Sequence, residues 1–66
     1  MSDLRLELHG SLNLVHPLTE AGTEWLDEHV DDDATYFGAA LVVEPRYTAD
    51  LLYGAVADGL AISGGY

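Results

Sequence analysis

Apolar and polar residues alternate through the first sixteen positions. In LRLELHGSLNLVH (residues 4–16), Leu4, Leu6, Leu8, Leu12 and Leu14 share one parity, the period-2 mark of a half-buried strand. The segment is either one strand bent at Gly10 or a hairpin that turns there, and the hairpin is the preferred reading. A three-residue loop, His9-Gly10-Ser11, pairs Leu8 with Leu12 and Leu6 with Leu14 on a common face. A two-residue loop would set Leu8 against Asn13 and break that face.

The period then lengthens. Pro17-Leu18-Thr19 leads into EAGTEWLDEHVDDD (residues 20–33), which reads as an amphipathic helix. Thr19 is a natural N-cap, and Glu20 suits the positive end of the helix dipole. At about 100° per residue, Glu20, Glu24, Asp27, Glu28 and Asp31 fall on one arc. Ala21, Trp25, Leu26, His29 and Val30 fall on the other. Asp31-Asp32-Asp33 closes the helix. Gly22 inside it costs about 1 kcal/mol against Ala, which points to close packing of the first turn on another backbone. Trp25, the sole tryptophan, reads as the anchor of the helix on a sheet.

Ala39–Glu44 is apolar on both parities and reads as a central strand covered on both faces, stopped by Pro45. Thr48 reads as a second N-cap for a helix over residues 49–57, with Leu52, Ala55 and Val56 on its inner side. Gly59 fits the position just past a helix end. Leu60-Ala61-Ile62 reads as a short last strand and residues 63–66 as a loose tail. The expectation is a single α+β domain over residues 1–66: a small, mainly antiparallel sheet of three to four strands carrying two or three short helices.

Charge changes the picture most. Twelve acids face two arginines and no lysine, for a formal net charge of −10. Direct binding to nucleic acid or an anionic membrane requires cations this chain lacks, so its partners should be basic. The acidic arc opposes helix stability. Glu20/Glu24, Glu24/Glu28 and Asp27/Asp31 are like-charge pairs four apart, each costing about 0.2–0.5 kcal/mol. Charge placed against stability points to a binding surface, here Glu20, Glu24, Asp27, Glu28, Asp31, Asp32 and Asp33. At about 1.5 Å per residue the arc offers a carboxylate every 3–4 Å or so, near the phosphate spacing of about 3.4 Å along one DNA strand. Asp3, Glu7, Glu44, Asp50 and Asp58 either extend the patch or solvate the fold. An acidic surface adapted to high salt is the competing explanation of the composition.

Other chemistry is thinly supported. There is no cysteine, which excludes disulfides and thiolate zinc sites. A calcium loop beginning at Asp33 would place Gly38 and Glu44 correctly but Thr35 and Phe37 at ligand positions, so no metal or other cofactor is expected. His9, His16 and His29 read as surface cover rather than as joint ligands. No nucleophile elbow, dinucleotide fingerprint or P-loop occurs, and an enzyme is not expected. Arg46 reads as an ion-pair partner of Glu44 or a helix carboxylate. Tyr36, Tyr47 and Tyr53 read as core edge. No signal peptide or membrane-spanning run is read, which makes an intracellular protein the default.

Pro17-Leu18-Thr19, Ala21, Trp25-Leu26, His29, Tyr36-Phe37-Gly38, Ala40-Leu41-Val42-Val43-Glu44, Arg46-Tyr47, Asp50-Leu51 and Asp58-Gly59-Leu60 together resemble a group of small phage and bacterial proteins. With its size and acidity, the chain resembles the small anti-CRISPR proteins of phages and mobile elements, nearest to inhibitors of the type I-C system. The similarity spans roughly residues 12–62 and is weakest over the leading hairpin. A monomer is expected more than a dimer, acting in the cytoplasm of a bacterial host. The implied partner is a basic nucleic-acid-binding protein, a CRISPR surveillance complex met at its Cas8-type large subunit, where DNA binding is blocked. A small acidic interaction module of antitoxin type, docking through apolar surface, is the alternative.

Overall fold

Residues 1–31 and 33–64 are described by a computed structural model. The chain is α+β: β1 (Leu4–His9), β2 (Leu12–Pro17), α1 (Glu20–His29), β3 (Tyr36–Phe37), β4 (Ala40–Val43), α2 (Pro45–Ala57) and β5 (Ile62–Gly64). The strands form one sheet in the order β3-β4-β2-β1-β5. It is mixed, because β5 runs parallel to β1 while the other pairs are antiparallel. The expected sheet of three to four strands is thus exceeded by β3, a two-residue edge with no periodicity to betray it. The last strand starts later than expected, at Ile62. Ser63 and Gly64 therefore belong to the sheet and not to a tail, and Gly65 and Tyr66 lie outside the described residues.

The β1–β2 hairpin overturns the expected register. Leu8 opposes Asn13, Leu6 opposes Val15, and only Gly10 and Ser11 form the loop. Gly10 has φ 70° and Ser11 does not share that sign, the combination that suits a two-residue hairpin turn with Gly in first place. The leucine parity misleads because the inner face changes parity across the turn. Leu4 and Leu6 point inward from β1, and Asn13 and Val15 from β2. Leu12 and Leu14 lie on the opposite face. Asn13 is tolerated in the core because its Nδ2 donates to Thr48 Oγ1 at 2.9 Å. That hydroxyl in turn donates to the Glu44 carbonyl at 3.0 Å. A buried amide with a partner avoids the desolvation penalty that would otherwise forbid this register.

Both helices cover the same sheet face. Leu4, Val15, Trp25, Leu26, Leu41, Val43 and Ala55 form the core between them. The other face is open, so β4 is roofed by helix on one side only, and it lies next to an edge strand rather than at the centre. Thr48, Leu51 and Ala55 are the inward residues of α2, which begins at Pro45 and not at the expected residue 49, so Glu44 takes the N-cap place expected of Thr48. Val56, expected inside, is 57% exposed. The helix ends as its sequence indicates. Gly59 has φ 94°, its N–H donates to Val56, and Leu60 N–H donates to Ala55, the paired bonds of a Schellman cap.

The start of α1 is fixed as read. Thr19 Oγ1 accepts from Gly22 N–H at 3.1 Å and donates to Asp3 Oδ1 at 2.7 Å. A Cβ on Gly22 would stand 2.3 Å from the Asp3 carbonyl oxygen, so the glycine permits the close approach. Trp25 is buried at 8% exposure, while its Nε1 donates to Asp58 Oδ2 at 2.7 Å and ties α1 to the end of α2.

Candidate acidic interface

The helix geometry sorts the acids. Trp25 and Leu26 hold one side of α1 against the sheet, which turns Glu20, Glu24, Asp27 and Glu28 outward, all exposed. Four carboxylates thus span about 12 Å of helix at about 1.5 Å per residue. Ala21, expected on the inner side, is exposed too, because Gly22 takes the buried place. The helix ends at His29 with Val30 as its cap, so Asp31 is not on the arc and the Asp27/Asp31 helical pair does not form. Asp31 and Asp33 are exposed in the following loop. Asp32 lies outside the described residues.

Partners divide the acids more sharply than position does. Asp3 Oδ2 accepts from Ala61 N–H at 2.9 Å in addition to the Thr19 bond. The Ala61 and Thr19 hydrogen bonds hold its carboxyl below the ordinary range. Glu7, on the open sheet face, accepts from His16 Nε2 at 2.8 Å and His9 Nε2 at 2.5 Å. Those bonds, that of His16 first, lower its pKa, and Arg5 adds an ion pair at 3.6 Å. Asp58 receives Trp25 and lies 3.5 Å from His29 Nε2. Glu44 pairs with Arg46 Nε at 2.9 Å, the pairing expected for that arginine. By contrast, Glu20, Glu24, Asp27, Glu28, Asp31, Asp33 and Asp50 form no ion pair among the described residues.

The histidines take structural positions. His9 and His16 flank Glu7, and His29 stacks on Trp25 with ring centroids 4.2 Å apart. No trio of His, Asp or Glu among the described residues is placed to hold a metal. The tyrosines depart from expectation: Tyr36, Tyr47 and Tyr53 are 46%, 54% and 75% exposed. They are surface groups and not core edge.

Where α1 ends, a groove of about 660 Å³ opens. Val30, Ala34, Leu41 and Leu51 supply apolar walls, and Asp31, Asp33, Glu44 and Asp50 supply carboxylates. Tyr47 lines it as well. Glu44 and Asp50 are two of the acids left open between extending the patch and solvating the fold, and Tyr47 carries no binding expectation. They come from α2 and its approach, and nothing local in sequence links them to the loop after α1. A smaller recess of about 230 Å³ lies beside Asp27 and Tyr36.

No helix among the described residues is long and apolar enough to cross a membrane. Comparison with known proteins returns no match to a family model, a curated protein or a solved structure.

Proposed function

We propose that this chain is an inhibitor that presents α1 and the loop after it to the basic surface of a nucleic-acid-binding protein, in place of DNA. The observation that carries the reading is the absence of internal ion pairs for Glu20, Glu24, Asp27, Glu28, Asp31 and Asp33 among the described residues, in contrast to Asp3 and Glu7, which are fully engaged. Those free carboxylates retain their charge for a partner. The field of a −10 chain also speeds encounter with a cationic surface. The resemblance to type I-C anti-CRISPR proteins gives the target its name: a CRISPR surveillance complex, met at the Cas8-type large subunit that holds target DNA.

The test is displacement of target DNA from a purified type I-C surveillance complex, run at low and at physiological salt. Displacement that weakens as salt rises is the expected result, because the contacts are charge pairs screened by ions. Binding without displacement overturns DNA mimicry, and no binding overturns the target.

A second reading rests on the open sheet face. By strand register, Leu12, Leu14 and Val42 share that face with Phe37. Phe37 is 75% exposed and Leu12 44%. An interaction module docking through this face would bind independently of salt and lose its partner on Phe37→Ser.

A further inference from the structure

The groove between the loop after α1 and the start of α2 differs from the α1 face in having apolar walls. A row of carboxylates on a helix accepts any cation. A groove that adds hydrocarbon and an aromatic ring discriminates between cations. Lysine carries a compact, strongly hydrated ammonium, whereas the arginine guanidinium is planar, weakly hydrated and stacks on aromatic rings.

The chain itself displays this chemistry at the groove lip. The Arg46 guanidinium carbon lies 4.8 Å from the centroid of the Tyr47 ring, and its Nε donates to Glu44 at 2.9 Å. Tyr47 and Glu44 both line the groove, while Arg46 does not. One guanidinium therefore already uses the ring and carboxylate from outside. Asp31, Asp33 and Asp50, which have no ion pair among the described residues, remain for another.

We propose that the groove seats an arginine side chain of the basic partner, its stem along Ala34 and Leu51 and its guanidinium among Tyr47, Asp33 and Asp50. This rests on the basic-partner reading and refines it. The α1 face supplies long-range attraction, and the groove supplies an anchor that tells arginine from lysine. Arg46 competes for Tyr47 and Glu44 and so tempers the site.

The experiment is an NMR amide titration of the whole chain with tri-arginine amide and, separately, tri-lysine amide. Saturable shifts at Ala34, Val43, Tyr47 and Leu51 are expected, with tri-arginine about fivefold tighter than tri-lysine. Tyr47→Ala with Asp50→Asn should erase the difference, since both side chains are exposed and neither holds the core. Arg46→Ala should tighten tri-arginine more than Arg5→Ala, which removes the same charge elsewhere. Equal affinities for the two peptides, shifts confined to Glu20–Glu28, or equal effects of the two arginine variants would each overturn the anchor. The peptide titration is independent of DNA displacement. Loss of selectivity with displacement intact removes only the anchor, whereas selectivity without displacement removes the mimicry and leaves an arginine-binding groove.

Discussion

Asp3 and Glu28 carry the same charge to opposite ends. Asp3 sits where three segments meet: its carboxylate takes the Thr19 hydroxyl from the start of α1 and the Ala61 amide from the approach to β5, and its carbonyl takes the Leu18 amide. Glu28 touches nothing ionic among the described residues and projects from a helix whose other acids repel it. The clasp at Asp3, and likewise Glu7 and Asp58 elsewhere on the fold, turns charge into architecture. The edge formed by α1 and its following loop leaves charge unspent, at some cost in stability. Only the second region has charge to offer a partner, and the two can be tested apart.

The largest expected effect is on the clasp. Gly22→Ala drives a methyl into the Asp3 carbonyl. Because the obstacle is backbone and not a flexible side chain, the first turn of α1 must shift, at about 2–3 kcal/mol. Chemical denaturation should show this loss, while the fraction still folded binds a basic partner normally. Unchanged stability would mean that the contact at Asp3 is loose.

On the α1 edge the outcome reverses. Glu24→Lys with Glu28→Lys should weaken binding to a cationic surface by on the order of 2 kcal/mol, roughly thirtyfold, with the circular dichroism spectrum preserved. Both side chains are exposed, so the fold loses no packing. Normal inhibition by this variant would dismiss the edge as the binding surface.

Acid tests the engaged carboxylates. The pKa values of Asp3 and Glu7 lie below their ordinary values in the folded chain. Their contribution is therefore whole above the unfolded-state pKa and disappears as pH falls through the folded-state one. A urea series taken downward from neutral pH should show stability falling below about pH 4. Asp3→Asn should flatten that acid limb, having already lost the charge. An acid limb identical in the variant would show that Asp3 carries no linkage.

These contrasts also explain what could be read from the chain alone. The Thr19 cap and the Gly59 terminator are local devices set within a turn, and the close approach at Gly22 and the Trp25 anchor are each marked by one unusual residue in a helical pattern. The hairpin register is not legible locally, because the Asn13–Thr48 hydrogen bond that lets Asn13 face the core joins residues 35 positions apart. The parallel β1–β5 pairing is likewise long-range. The exposed acids of α1 follow from helix period, so they were legible. The groove was not, because Asp33 and Asp50 belong to segments that meet only after β4 places α2 beside the loop.

The smallest effect is the most discriminating between the regions. Glu24→Lys alone converts Glu20/Glu24 and Glu24/Glu28 from repulsive to attractive pairs one helical turn apart. Each conversion removes a penalty of about 0.2–0.5 kcal/mol and adds a similar gain, so with two pairs the variant should be more stable by about 0.8–2 kcal/mol while binding a basic partner less well. The stability gain should shrink as salt is raised, because the pairs are fully exposed. Adding a cation near the clasp, by Ser2→Lys, should bring no such gain in stability, since Asp3 already has its partners. A stabilised, weaker-binding Glu24→Lys would establish that the edge holds its charge against the interest of the fold. A destabilised one would mean that Glu24 has a structural partner after all, and the division between the two regions would fall.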